Sequence, residues 1–262
     1  MLKFVASFSL ILLLLTAGIS AQELRSEFYP EAEFHMARVV YNNGYGPMGR
    51  GFALSRRGNG WWAIDYPEAE EHFLEGLARL SRIDVASDSH HLSIMEDEIF
   101  DHPWLFIQQV GQGAWDPNAE EVIRWREYLY RGGFLVVDDF HGVGQWQRLQ
   151  ASMQKIFPER PIVDLGSEDE VFHVLYELDQ LTQIPGRRHL YRAGDGSIKA
   201  QLEGPQAWRG IYDDEGRLMV AINFNMDMGD AWEHADDPVY PQPMTALSYR
   251  FGLNYVIYAM TH

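Results

Sequence analysis

The chain has 262 residues, no cysteine and a formal net charge of −17, with 38 Asp and Glu against 21 Lys and Arg. Apolar residues make up 46% and aromatic residues 13%, enough to bury a substantial core. The composition excludes disulfides, thiolate metal sites and a cysteine nucleophile, and the acid excess excludes general nucleic-acid binding, which needs Lys and Arg to displace counterions from phosphates.

Residues 1–21 read as a secretory signal peptide. Lys3 supplies the positive start, Phe4 to Leu15 an apolar run, and Ile19-Ser20-Ala21 a small-residue cleavage site before Gln22. The apolar run approaches membrane-spanning length, so retention as an anchor is the alternative to cleavage. Cleavage implies a periplasmic or secreted protein with no remaining membrane span, and 22–262 as one α/β domain.

Phe34 to Tyr41 reads as a first strand. A glycine-rich loop follows, carrying Arg50, Arg56 and Arg57. Its backbone N–H groups and arginines make it either a candidate anion-binding loop or a solvated connection. Asp65 reads as an N-cap and Pro67 as the first turn of a helix, with Phe73, Leu77 and Leu80 on one face. Ile83-Asp84-Val85 and Leu92-Ser93-Ile94 read as short edge strands. Pro103 to Val110 reads as a strand covered on both faces, ending at Gly111-Gln112-Gly113. Asp116 and Pro117 open the next helix, whose apolar face is Val122, Trp125 and Leu129, and Gly132-Gly133 stops it.

Phe134 to Val137 reads as a buried strand ending in Asp138-Asp139. A helix with Trp146, Leu149, Met153 and Ile156 follows, then a strand over Pro161 to Leu165. This alternation predicts a doubly wound, mostly parallel sheet with helices on both faces. Residues 168–208 are irregular, with Arg187-Arg188 a second basic pair, and read as an insertion or lid. Leu218 to Phe224 is a further strand. Met244 to Met260 is a packed C-terminal helix, too polar at Arg250 and Asn254 to cross a membrane.

In an open α/β sheet, ligands gather at the carboxyl ends of strands. The candidate ligand-binding residues there are Gly111 and Gly113, then Asp138, Asp139 and His141, then Asp227, Asp230, Trp232 and Glu233, with Asp65 a cap first and a site residue second. Adjacent acids at a strand end repel and need a partner. Three arrangements meet that need. One Asp caps a loop or helix while the other meets an arginine, or both hold substrate, or Asp138 and His141 bind a metal with a distant acid. No cofactor is otherwise implied. Trp232 is placed to stack on a sugar or to pack. The acids from Asp227 to Asp237 do not keep EF-hand spacing. Phosphate-loop, Gly-x-Ser-x-Gly and His-Glu-x-x-His motifs are absent from the sequence.

Several segments together resemble the bacterial family called domain of unknown function 4159. They are Arg38-Val39-Val40-Tyr41, Trp61 with Ile64-Asp65-Tyr66-Pro67, Pro103-Trp104-Leu105-Phe106, Tyr128-Leu129 with Gly132-Gly133-Phe134-Leu135, and Asp138-Asp139. Asp227 to Glu233 and Asn254 to His262 complete the series, which covers about Phe28 to His262. The resemblance implies a flavodoxin-like, class I glutamine amidotransferase-like sheet. It does not imply amidotransferase activity, because that chemistry needs a cysteine at the elbow, expected near Gly111 to Gly113. An acid–His pair near the fifth strand is also implied, with Asp169-Glu170 at the expected place and His173 following.

Two functions are expected of such a chain. The first is a ligand-binding or interaction module of the cell envelope, its partner a small molecule such as a saccharide or an envelope protein. The alternative is a carboxylate-dependent, metal-assisted or metal-free hydrolase of a saccharide or related envelope substrate. Convergence of Asp138 or Asp139 with Asp227 or Asp230 in an open cleft favours the hydrolase, and individually partnered acids favour the module.

Overall fold

The computed structural model describes residues 32–41, 60–112, 115–201 and 204–262. The predicted signal peptide, the loop with Arg50, Arg56 and Arg57, and Gly113 lie outside them. The strands are β1 (Ala37–Val39), β2 (His90–Leu92), β3 (Trp104–Gln108), β4 (Phe134–Phe140), β5 (Val163–Asp164), β6 (Leu190–Arg192), β7 (Ile198–Ala200), β8 (Ala207–Tyr212) and β9 (Leu218–Phe224). The α-helices are α1 (Glu68–Leu80), α2 (Ala119–Tyr130), α3 (Gly142–Ile156), α4 (Met228–Glu233) and α5 (Gln242–Thr261).

Seven strands form one sheet in the order β2-β1-β3-β4-β9-β8-β5, and β6 and β7 form a separate hairpin. Pairing is parallel from β2 through β9 and antiparallel for β9–β8 and β8–β5. The sheet is therefore mostly parallel, with an antiparallel edge.

Side chains alternate across a strand, and the two faces build two cores. Trp104, Phe106, Phe134 and Val136 pack with α1, α4 and α5 on one face, including Phe73, Trp232, Phe251 and Tyr255. Leu105, Ile107, Leu135 and Val137 pack with α2 and α3 on the other, including Trp125, Leu129, Leu149 and Ile156. Every residue of β3 and β4 is buried, as expected for strands covered twice. Among the described residues no helix is long and apolar enough to cross a membrane.

Local details differ from the sequence reading. Asn118, not Asp116, caps α2, and it forms a reciprocal capping box with Glu121. Asp116 instead reaches Lys155. Asp65 does not cap α1 with its side chain: Pro67 stands at the N-cap, and only the Asp65 carbonyl contributes, accepting from Ala69 N–H at 2.9 Å. The edge strand near residue 92 runs over His90–Leu92, not Leu92 to Ile94, and Val85 makes only an isolated bridge with Phe34. β5 is shorter than the predicted strand. The stretch 168–208 read as irregular holds the β6–β7 hairpin and the start of β8.

Candidate functional site

Four non-glycine residues among those described hold positive φ: Asp65 at 64°, Gln109 at 54°, Asp139 at 47° and Asn225 at 56°. Gln109 follows β3, Asp139 lies near the end of β4, Asn225 follows β9, and Asp65 leads into α1. The left-handed region costs an L-residue roughly 1–2 kcal/mol, and such strain clusters at functional sites. Three of the four, Asp65, Gln109 and Asp139, line one open cleft of about 600 Å³ at the carboxyl ends of the strands. Asp227, Asp230 and Glu233 share its wall with Arg187, Arg188, His234 and Trp61.

A buried network aims Asp65. Arg38 on β1 is fully buried. Its guanidinium donates to the Trp62 and Ile64 carbonyls at 3.0 and 2.9 Å, and to Glu70 and Gln108. Gln108 passes the link on, its Nε2 donating to Asp65 Oδ2 at 2.8 Å. Glycine is required at 229, because a Cβ there would run into Gln108 and the Asp65 carboxylate.

The two adjacent aspartates have separate duties. Asp138 faces inward and accepts from Met228 N–H and Gly229 N–H at 2.6 and 3.1 Å and from Asn223 Nδ2 at 3.3 Å, so it caps the start of α4. Asp139 faces the cleft. Gln109 Nε2 donates to it, His141 Nε2 lies 3.0 Å from its Oδ1, and Arg188 donates to the same oxygen at 3.5 Å. Asp227 accepts from the Asp230 N–H at 2.9 Å, and Asp230 accepts from the Arg187 N–H at 2.6 Å. Oxygens of Asp65, Asp227 and Asp230 lie within 4.8 Å of one another, as do ligand-capable atoms of Asp139, His141 and Asp227. Either group could hold a divalent cation.

This crowding splits the acidities. Burial pushes Asp65 well above the ordinary carboxyl value, and the Asp230 and Asp139 charges push it the same way. Burial also raises Asp227 well above that value, reinforced by Asp139 and Asp230. Burial and the Asp139 charge push Asp138 up to about 7. Burial acts on Asp139 in the same sense, but the hydrogen bond and charge of His141, with Arg188 and Gln109, outweigh it and hold Asp139 below the ordinary value.

Of the predicted site residues, the cleft gathers Asp65, Asp139, Asp227, Asp230 and Glu233. His141 supports Asp139 from behind and is buried. Asp138 is buried in its capping role. Trp232 is fully buried, its ring stacked on Phe73 with centroids 4.1 Å apart, so no sugar reaches it. Gly111 packs against Gln145 and its carbonyl accepts from Arg148 at 2.8 Å. The left-handed residue after β3 is Gln109, earlier than the expected elbow at Gly111 to Gly113. His173 pairs with Glu177, and Glu170 with His262, away from the cleft. Sequence reasoning missed Arg38, Gln108, Gln109 and Trp61 as site residues, while His234 ends the third strand-end segment and lines the cleft. Arg38 carried a signal, a lone charge inside an apolar strand.

The fold and site define an α/β protein with a carboxylate-lined cleft at the ends of parallel strands. Residues 35–260 match the family described as Domain of unknown function (DUF4159), and the chain belongs to that family. No curated protein matches it.

Proposed function

We propose that the cleft is the active site of a carboxylate-dependent hydrolase acting on a saccharide or related polyhydroxylated substrate. The observation that carries the reading is the opposed acidity of two facing carboxyls. Asp227 is pushed toward its protonated form and Asp139 is held ionised, with an oxygen of each within 4.8 Å of the other. Environments that push neighbouring acids apart assign an acid and a base. Asp227 then protonates the leaving oxygen, while the Asp139 carboxylate attacks or activates water. Their closeness resembles the roughly 5–5.5 Å of glycosidases with a carboxylate nucleophile more than the wider inverting spacing. Arg187, Arg188 and Trp61 supply hydrogen bonds and a ring face to the substrate.

The parallel order β2-β1-β3-β4-β9 supports the flavodoxin-like, amidotransferase-like sheet, since β9 counted fifth yields the flavodoxin order. On that reading Gln109, left-handed directly after β3, takes the elbow position at which such enzymes carry their nucleophile. The signal-like sequence of residues 1–21 supports export, and hence an envelope substrate. A second reading, a binding or interaction module, is favoured by Asp138, Asp139, Asp227 and Asp230 each already accepting a protein hydrogen bond.

The test is hydrolysis of a panel of aryl glycosides and envelope oligosaccharides by the chain lacking residues 1–21. Asp139→Asn and Asp227→Asn should each lower kcat about 100- to 10,000-fold, the usual contribution of one acid–base group, with KM little changed. Saccharides that raise the melting temperature but are never cleaved would replace the hydrolase with the binding module.

A further inference from the structure

We propose that the amino end of the sheet carries a binding site for one zinc-class divalent ion, ligated by His90 Nδ1, His102 Nε2 and Glu98 Oε1. These residues stand at the amino ends of parallel strands, away from the carboxyl-end cleft. His90 is the first residue of β2, His102 lies two before β3, and Glu98 sits in the short 3-10 turn Asp97–Asp101 between them. The three ligand atoms converge. His90 Nδ1 is 3.1 Å from His102 Nε2 and 3.1 Å from Glu98 Oε1, and His102 Nε2 is 3.9 Å from the same carboxylate oxygen.

Zinc bonds of about 2.0–2.2 Å in a tetrahedron separate neighbouring ligand atoms by roughly 3.3–3.6 Å. The observed separations bracket that edge, so an ion fits with only small side-chain movement. Two imidazoles and one carboxylate suit zinc and its neighbours, whereas calcium and magnesium take oxygen ligands. With three protein ligands, the fourth position remains for water. Glu98 is 27% exposed and both histidines are buried, so that position is reached from the Glu98 side.

Hydrogen bonding alone does not account for the cluster. Outer partners orient metal-bound imidazoles by taking the proton of the ring nitrogen that faces away from the ion. A neutral His102 with its proton on Nδ1 turns a lone pair, not a proton, from Nε2 toward His90. A single proton on His90 Nδ1 then faces both that lone pair and Glu98, and it satisfies one of them fully. An ion accepts all three pairs. The His35 ring packs 5.2 Å from His90 and 6.3 Å from His102, and its Nδ1 is buried without a hydrogen-bond partner.

The test is titration of the chelator-treated chain with Zn²⁺ by calorimetry, and with Co²⁺ by visible absorption. The expected result is a set of Co²⁺ d–d bands typical of a tetrahedral nitrogen–oxygen site that saturates at one ion per chain. Glu98→Gln, at a partly exposed position, should keep the fold by circular dichroism yet weaken Zn²⁺ binding more than the roughly 10–100-fold that loss of an outer partner brings. His90→Gln should remove the Co²⁺ bands. Asp227→Asn should leave the Co²⁺ bands unchanged, which separates this site from the acidic cleft. No binding by the unmodified chain overturns the proposal. So does binding that Glu98→Gln and His90→Gln leave intact, or binding that Asp227→Asn abolishes.

Discussion

Arg38 shows how one residue can set a site that it does not touch. Its guanidinium is buried with Glu70 and holds two carbonyls of the segment before α1, while Gln108 relays its position to Asp65. Removing one partner of a buried ion pair strands the other charge, which typically costs about 3–5 kcal/mol, whereas removing both together is much less harmful. Arg38→Met should therefore lower stability in urea by about 3–5 kcal/mol, and Arg38→Met with Glu70→Leu should recover much of the loss. Equal destabilisation of the single and double variants would mean that the pair is not what Arg38 stabilises. The sequence shows Arg38 as a charge inside an apolar run, but its partners lie 24 to 70 positions away along the chain, beyond any local pattern. The same limit applies to Asp138 and Asp139. Their adjacency marks the site, yet which of them faces the cleft depends on the register shift between Val137 and Phe140 and on the left-handed φ of Asp139.

Elements were legible wherever burial followed a single period. The faces of α1, α2 and α3 follow residues three and four apart, except that Leu80, read with the α1 face, is exposed while Leu74 is buried, and β3 and β4 follow unbroken apolar runs. β8 was not, for two physical reasons. Arg209 interrupts the run, its charge placed over Trp146 and paired with Asp164 at 2.8 Å. Gly210 lowers strand propensity, yet a Cβ there would meet Leu218 and the Val220 carbonyl. Helix starts were the other weak point, because neighbouring residues of similar chemistry compete for the cap. For α2 the competitors separate by experiment. Asn118 accepts from the N–H groups of Glu120 and Glu121 at 2.9 and 3.1 Å, while Asp116 makes only an exposed contact with Lys155. Asn118→Ala should cost about 1 kcal/mol, and Asp116→Ala should fall within about 0.5 kcal/mol of zero. Urea midpoints measured side by side decide between them, and the reverse order would return the cap to Asp116.

At the scale of the molecule, the charge of −17 is not evenly spread, and its unevenness predicts a pH dependence. Asp138 and Asp227 are buried and Asp65 is half-buried at the carboxyl ends of the strands, with their pKa values pushed upward. The folded chain therefore keeps protons that the unfolded chain has released. Where the folded state binds more protons, stability falls as pH rises. For Asp138 the window runs from the ordinary carboxyl value near 4 up to about 7. Stability from this group is fully present below that window, is lost across it, and levels off above it. Asp139 acts in the opposite sense, since its value is depressed, but its window lies below the ordinary carboxyl range. Asp138→Asn isolates the effect, because the amide has the carboxyl's shape and does not titrate. Whatever constant penalty the exchange carries, the stability of the variant relative to the unmodified chain should improve between pH 5 and pH 8, by up to a few kcal/mol at about 1.4 kcal/mol per pH unit. Chemical denaturation at each pH measures the difference. A difference that stays flat would show that Asp138 remains ionised throughout, its charge satisfied by the Met228 and Gly229 amides, and the proton-holding role would pass to Asp65 and Asp227.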